Sequence, residues 1–149
     1  MKLDIKEVDI DNYRDVLQLE INPAQRKYVD SSRYFIAKSK YHPNHQPRAI
    51  VADGAVVGLV LYQTGDGDFE PHECEKFGFM IDRKFQGKGI GKLAMGLLVE
   101  EVKANKQFTW IKLSCDKDNT NAEKDYIASG FKNSGYVKND GAIVFSIER

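Results

Sequence analysis

Apolar residues recur at spacings of three and four positions over one stretch near the middle of the chain. They are Ile90, Leu93, Ala94, Leu97, Leu98 and Val102. At 3.6 residues per turn this spacing places them on one face, which predicts an amphipathic α-helix. The preceding apolar run at 76–82 predicts a β-strand. Between the strand and the helix lies a glycine-rich sequence at 86–91.

The rest of the chain alternates between strand patterns and helix patterns. Helices are predicted from Asp11 and Asn12 through Leu19, from Pro23 towards Lys40, and over 120–129. Strands are predicted at 3–5, 48–52, 56–64, 74–81, 110–114, 131–137 and 143–147, with a hairpin turn at Asp53-Gly54 and a polar loop at 42–47. This order predicts an α/β (mixed α+β) fold: a mixed, mostly antiparallel sheet of about seven strands with helices on both faces.

The composition fits one domain and narrows the classes of partner. With 149 residues and 42% hydrophobic content, the chain can form one core but not two ordinary domains, so a single domain over 1–149 is expected. The 22 basic and 22 acidic side chains cancel, which leaves no electrostatic signal for nucleic acid or an anionic membrane surface. The N-terminus has no apolar signal region.

The cysteines and histidines do not suggest a metal site. Cys74 and Cys115 both fall in predicted strands, which favours reduced core residues in a cytoplasmic protein. His42, His45 and His72 have no Cys-x-x-Cys framework nearby, so we expect surface histidines and no metal.

The glycine-rich sequence predicts a phosphate site. A helix N-terminus presents backbone N–H groups to an anion, and glycines let the anion approach the backbone closely. A Walker A loop is excluded because Gln86 stands at its first glycine and Leu93 at its Ser or Thr. A dinucleotide fingerprint is excluded because Lys92 replaces its third glycine. Gln86, Gly89 and Gly91 do match Gln/Arg-x-x-Gly-x-Gly/Ala, which resembles the acetyl-CoA pyrophosphate loop of the GNAT superfamily of N-acetyltransferases.

A second segment carries the same resemblance. Residues 119–131 match the superfamily pattern Asn-x-x-Ala-x-x-x-Tyr-x-x-x-Gly-Phe at every specified position. Physically, the segment predicts a helix that begins with a capping box, Thr120-x-x-Glu123, and ends at Gly130. Two motifs in the right order, with a strand between them, are hard to obtain by chance. The chain is therefore identified as a member of this superfamily.

The resemblance implies acetyl-CoA as the cofactor and assigns residues to it. The pantetheine is expected against backbone groups of Phe79, Met80 and Ile81, with Asn119 at the pantetheine arm. The pyrophosphate is expected on Gln86, Gly87, Lys88, Gly89, Ile90, Gly91 and Lys92. Tyr126 is expected beside the sulfur, where a phenol can give its proton to the departing thiolate.

A carboxylate is the candidate general base. The attacking amine must first lose a proton, since an alkylammonium with a reference pKa of about 10.4 is not a nucleophile at neutral pH. Relatives often use a Glu on the strand before the loop. Glu73 and Glu75 lie there, in phase with Phe77, Phe79 and Ile81, so that these side chains are expected on one face. Glu75 is expected to accept the proton directly or through water, and a merely solvated Glu is the alternative.

Two patterns bear on the acceptor. Acidic residues cluster over 66–75, which either attracts a polycation or forms a solvated turn. The segments 24–29, 47–50 and 57–58 resemble bacterial spermine/spermidine (diamine) acetyltransferases, whose helices here form one wall of the acceptor site. A small polyamine is therefore the expected substrate.

The resemblance also has gaps. Tyr28, Glu73 and Glu75 are expected to bind the amine, but Phe35 and Gly78 depart from the polyamine pattern, as does Ser32. The expected reaction is direct attack of the amine on acetyl-CoA in a ternary complex. Two alternatives stay open: transfer to another amine, such as a protein N-terminus or an aminoglycoside, and a non-catalytic module that binds acyl-CoA. The C-terminal strand pair is compatible with a homodimer, as in relatives.

Overall fold

A computed structural model describes residues 1–25, 31–64, 73–104 and 110–148, with the backbone alone at positions 25, 64 and 73–77. The strands are β1 (Leu3–Glu7), β2 (His45–Ala52), β3 (Ala55–Thr64), β4 (Glu73–Ile81), β5 (Trp110–Cys115), β6 (Lys132–Val137) and β7 (Ile143–Glu148). The helices are α1 (Tyr13–Leu17), α2 (Ser32–Tyr41), α3 (Ile90–Ala104) and α4 (Thr120–Ala128). Short 3-10 turns lie at Pro23–Gln25 and Arg83–Phe85.

The strands form one sheet in the order β1-β2-β3-β4-β5-β7-β6. Every neighbouring pair is antiparallel except β4 and β5, which are parallel and are connected through α3. A parallel pair needs such a crossover because a tight turn can only reverse the chain. The predicted mixed, mostly antiparallel sheet of seven strands is confirmed. So is the hairpin at Asp53 and Gly54, whose φ angles of 50° and 85° suit a two-residue turn of type I′.

Two apolar clusters lie on opposite faces of this sheet. One includes Leu98, Leu113 and Phe145 and packs under α3 and α4, whereas the other includes Val16 and Phe35 from α1 and α2. Each fully buried side chain of this size stabilises the fold by about 1.5–3 kcal/mol. Helices on both faces, as predicted, therefore follow from strands that are apolar on both sides.

The buried face of α3 differs from the predicted one. The residues that it buries are Ile90, Ala94, Met95, Leu98, Val99 and Val102. Leu93 and Leu97 were assigned to the same face, but they are 53% and 37% exposed. At 100° per residue, Met95 and Val99 extend the buried arc on one side, and Leu93 lies beyond its opposite edge. The spacing of the apolar residues alone did not show which of them lie at the centre of the buried face of α3.

Both N-terminal helices are shorter than the sequence predicted. The helix expected through Leu19 ends at Leu17. The helix expected from Pro23 is a 3-10 turn there, and α2 begins only at Ser32. Ser31 is extended, with ψ of 157°, and its hydroxyl accepts a hydrogen bond from Tyr34 N–H, so a second helix start is built at this point.

The loop predicted at 42–47 is also too long, because β2 already begins at His45. His45 is buried rather than on the surface, and its ring stacks on that of His42 at 4.5 Å between centroids. Stacking and strand pairing with Gln63 explain how a histidine is accommodated there.

The start of α4 is capped one residue earlier than predicted. The Asn119 side chain accepts a hydrogen bond from Ala122 N–H at 3.3 Å, so Asn119 is the N-cap and the Thr120 capping box is wrong. Asn caps well because its short carbonyl reaches the orphan N–H groups of the first turn. The predicted end is confirmed: Gly130 has φ of 95°, and Phe131 N–H donates back to the Tyr126 carbonyl.

Candidate active site

A gap opens between β4 and β5 in the middle of the sheet. The parallel pairing of these strands runs only from Glu73↔Trp110 to Lys76↔Leu113. Beyond this point β4 stays paired with β3 as far as Ile81, and β5 stays paired with β7 as far as Cys115. The two strands therefore diverge towards their C-terminal ends and leave a cleft of about 950 Å³.

The cleft is lined from both faces of the sheet. Ile21, which packs with the α1–α2 cluster, lines it together with Asn22 and Ala24. Met95 and Tyr126, which belong to the α3–α4 cluster, line the same cleft. We call these two walls the α1–α2 side and the α3–α4 side. Two molecules can thus reach the gap from opposite faces of the sheet.

The register of β4 indicates which backbone groups face the gap. Asp82 N–H donates to the Val57 carbonyl of β3 at 2.8 Å. Because hydrogen-bonding direction alternates along an antiparallel strand, Met80 also directs its N–H and C=O towards β3. Phe79 and Ile81 then direct theirs towards the gap. Phe79, Met80 and Ile81 all line the cleft, and their contacts with the pantetheine stay a prediction.

The glycine-rich loop lies at one end of the cleft, where α3 begins. Gly87 and Gly89 have φ of 77° and 78°, in the region that a residue with a Cβ rarely adopts. Leu93 N–H donates to the Gly89 carbonyl as the helix starts, so the N–H groups of the first turn point out of the helix end. The loop and the start of the helix together form a concave surface with outward backbone N–H groups, which suits an anion.

Three side chains in or next to the loop have different roles. Gln86 donates from Nε2 to the Ile81 carbonyl at 2.9 Å, which joins the loop to the end of β4. Its side chain therefore holds the loop against the end of β4, and we call this bond the loop brace. Its contact with the phosphates stays a prediction. Lys92 lines the cleft, and Lys88 is exposed over the Phe85 ring at 5.5 Å. Both ammonium groups add positive charge to this end.

Tyr126 is held on the inner side of α4. It is 9% exposed, and its ring packs against Phe131 and Phe145 at centroid distances of 6.4 and 5.9 Å. Ala122 and Ser129 lie three to four residues away on the same helix and also line the cleft. Asn119 lines it too, while its carbonyl caps the helix. Both motif residues therefore lie at the cleft, and their contacts with the coenzyme stay a prediction.

The predicted base lies on a part of β4 whose backbone is irregular. The β3–β4 register shifts between Leu61, opposite Gly78, and Tyr62, opposite Lys76. This register shift interrupts the two-residue alternation of β4, so the placement of Glu73 and Glu75 on one face with Phe79 and Ile81 stays a prediction. The side chains of 73–77, the acidic stretch at 65–72 and Tyr28 lie outside the described residues.

Three features of the site were not found from the sequence. Ile21, Asn22 and Ala24 line the cleft, although a helix was predicted to begin at Pro23. Cys115 is a buried thiol that also lines it. Asp82 ends β4 and caps the following 3-10 turn. Only Asp82 carried a local signal, since Asp is favoured directly before a helical turn.

Comparison with known proteins decides the family. The model of the Acetyltransferase (GNAT) family matches residues 11–131, which is most of the chain. The protein belongs to the GNAT acetyltransferase family. This match covers the glycine-rich loop, the gap and the α4 motif together.

The protein is similar over nearly all of its length to relatives that carry names. It is 29% identical over 148 residues to the spermine/spermidine N(1)-acetyltransferase of Bacillus subtilis strain 168, covering 95% of each chain. Its fold is similar to that of spermidine N-acetyltransferase from Vibrio cholerae, solved with CoA and spermine, at 16% identity and a TM-score of 0.76 over 98% of this chain and 95% of that one. The aminoglycoside acetyltransferase AAC(6')-Ib, solved with coenzyme A, has a TM-score of 0.80 at 15% identity over 99% and 95%.

None of the described helices is both long and apolar enough to cross a membrane.

Proposed function

We propose that this protein transfers an acetyl group from acetyl-CoA to a primary amine of a small polyamine such as spermine or spermidine. The observation that carries the proposal is the cleft through the sheet. It joins the glycine-rich loop, which suits a phosphate, to the α1–α2 side on the opposite face. Direct attack in a ternary complex suits such a cleft, because both substrates can occupy it together.

Acetyl-CoA fits the described residues on two counts. The loop from Gln86 to Gly91 offers outward N–H groups, two positive φ angles and the start of a 15-residue helix, which suits a pyrophosphate. Phe79 and Ile81 direct backbone groups towards the gap, which suits the amides of the pantetheine arm. The neighbour from Vibrio cholerae was solved with CoA and the aminoglycoside enzyme with coenzyme A. Bound there, acetyl-CoA supplies an acetyl group activated as a thioester.

Tyr126 is the proposed acid. A phenol holds its proton at neutral pH and can share it with the thiolate that develops beside it, through a hydrogen bond that strengthens as the C–S bond breaks. Tight packing on Phe131 and Phe145 fixes the ring, so its hydroxyl stays in one place through the reaction. Positioning of this kind favours proton transfer because no reorganisation is needed in the transition state.

Glu75 remains the proposed base, acting through water. Its Cα lies opposite Lys112 of β5, where the two strands are still paired. Four residues of strand separate it from Phe79, or about 13 Å at 3.3 Å per residue. A carboxylate at that distance needs intervening water to reach an amine at the gap.

The charge of the described cleft favours a cationic acceptor. Its charged lining residues are Lys92, at the loop, and three carboxylates, Asp116, Asp125 and Asp140. Carboxylates attract polycations at long range, whereas Lys92 and the N–H groups of the loop suit the anionic coenzyme. The relative from Bacillus subtilis strain 168 is named for spermine and spermidine. A polyamine is consistent with both observations, while the predicted homodimer and cytoplasmic location stay predictions from the sequence.

The test is steady-state release of free thiol from acetyl-CoA with spermine, spermidine, putrescine, an aminoglycoside and a short peptide offered separately. We expect saturable turnover with spermine and spermidine and much lower kcat/KM with the peptide and the aminoglycoside. Preference for one of the latter two would replace the polyamine by that acceptor. If no amine reacts while CoA still raises the melting temperature, the chain is a binding module and the enzyme proposal fails.

A further inference from the structure

Asp82 is a buried carboxylate that follows β4 and precedes the 3-10 turn leading to the glycine-rich loop. It is 8% exposed. Its Oδ1 accepts a hydrogen bond from Lys84 N–H at 2.9 Å, and its Oδ2 accepts one from Glu20 N–H at 3.1 Å. Its own backbone is bonded to β3 through Val57, so the carboxylate is fixed to the sheet. The side chain of Asp82 therefore joins the 3-10 turn that follows it to the segment at Glu20, and its backbone N–H joins this junction to β3.

The two donors lead to opposite walls of the cleft. Glu20 immediately precedes Ile21 and Asn22, which line the α1–α2 side. Lys84 lies in the 3-10 turn that precedes Gln86, the first residue of the glycine-rich loop. A second bond, from Arg83 N–H to the Glu20 carbonyl at 2.7 Å, closes the same junction.

The exposed groups around this junction are a weaker connection. The Arg83 guanidinium lies 3.5 Å from the Glu20 carboxylate, but these side chains are 55% and 64% exposed. Ion pairs of that kind contribute about 0–1 kcal/mol because water screens them. Hydrogen bonds from backbone N–H groups to a buried carboxylate are stronger, and breaking one leaves a buried charge less well solvated.

We infer that Asp82 is a positioning residue that holds the α1–α2 wall and the coenzyme loop in one fixed arrangement, so that amine and thioester meet at the gap. The inference rests on the proposed function. Asp82 touches neither substrate; it acts through Glu20 on the amine and through Lys84 on the coenzyme. Loss of one bond should therefore impair one substrate selectively, which a purely structural role would not do.

Two proline substitutions separate the two bonds, since proline has no N–H to donate. Glu20→Pro removes the donor of the α1–α2 wall, and Lys84→Pro removes the donor of the coenzyme loop. Glu20→Ala and Lys84→Ala are matched controls that delete the same side chains but keep each N–H. We expect KM for the amine to rise about tenfold in Glu20→Pro, with KM for acetyl-CoA unchanged. Lys84→Pro should show the reverse.

Asp82→Ala removes both bonds and should raise both KM values, while Asp82→Asn, which keeps one acceptor oxygen, should lie between it and the unmodified protein. Circular dichroism and thermal unfolding confirm that each variant is folded. The inference is overturned if folded Glu20→Pro and Lys84→Pro both leave the two KM values within twofold of their alanine controls. It is equally overturned if both prolines raise the two KM values in parallel, since that indicates general loosening.

Failure of this inference can be distinguished from failure of the proposed function. Any amine that the protein acetylates serves for the KM measurement, whether or not it is a polyamine. If no amine reacts, the dissociation constant of CoA still tests the Lys84 bond by calorimetry. A dissociation constant unchanged by Lys84→Pro would then overturn the inference as well.

Discussion

On the α3–α4 side of the gap, the residues at the cleft include those that the sequence motifs specify: Gln86, Gly89, Asn119 and Tyr126. On the α1–α2 side, the cleft is lined by Ile21, Asn22 and Ala24, of which only Ala24 falls in a segment with a family resemblance, and the neighbouring helix begins nine residues later than its pattern predicted. The sequence motifs thus identified residues of the α3–α4 side far better than residues of the α1–α2 side.

The difference follows from what each wall is proposed to bind. A pyrophosphate is recognised by backbone N–H groups, and the loop that presents them needs glycine at particular positions because of its positive φ angles. Such a requirement leaves a fixed spacing in the sequence. Recognition of a variable amine relies on side-chain packing and charge, for which many residue combinations serve equally well.

The packing of Phe35 against Gly78 illustrates the second case. Both residues depart from the polyamine acetyltransferase pattern, and they turn out to be neighbours on the α1–α2 side. A Cβ built on Gly78 would lie 3.0 Å from Cζ of Phe35, so the ring would have to move by a few tenths of an ångström. The aromatic ring therefore occupies the space that a side chain at position 78 would need, and the two departures compensate each other.

The largest effect is expected on the motif side, from Tyr126→Phe. We expect kcat to fall about a hundredfold, in the range typical of losing a general acid, with the dissociation constant of CoA unchanged. The ring keeps its contacts with Phe131 and Phe145 in this variant. Tyr41→Phe, at a position 77% exposed, is the control. A kcat within twofold of the unmodified protein would exclude Tyr126 as the acid.

The next effect concerns stability on the α1–α2 side. Gly78→Ala should lower the free energy of unfolding by about 1–3 kcal/mol through overpacking against Phe35. In a Phe35→Ala background the same substitution should cost less, and a urea-denaturation double-mutant cycle measures the difference. Gly96→Ala on α3 is the control: its Cβ meets nothing within 4 Å, so it should stabilise by about 0.5–1 kcal/mol. Additive costs for Gly78 and Phe35 would show that they are not coupled.

The smallest effect sharpens the role of the loop brace. Gln86→Ala removes the hydrogen bond to the Ile81 carbonyl, which is worth about 0.5–1.5 kcal/mol. CoA should bind up to about tenfold more weakly by calorimetry, while KM for the amine stays constant. Gln18→Ala, at the exposed C-terminus of α1, serves as the control. An unchanged affinity for CoA would mean that the loop holds its shape without this bond.

The fold itself was largely predictable because apolar alternation and turn residues specify strands and hairpins locally. The Asp53-Gly54 turn and the stop at Gly130 were identified from residue type alone, since few residues adopt positive φ. The β-bulge near Phe77 and the gap between β4 and β5 were not, because both depend on pairing between distant strands. The same holds for Asp82, whose partner Glu20 lies 62 residues away.

The central claim is that both substrates occupy the gap together and react directly. Initial velocities measured over a grid of acetyl-CoA and spermine concentrations test it. We expect double-reciprocal lines that intersect, as a ternary complex requires. Parallel lines would instead indicate an acetyl-enzyme formed before the amine binds, with Cys115 in the cleft as the candidate carrier, and would contradict the claim.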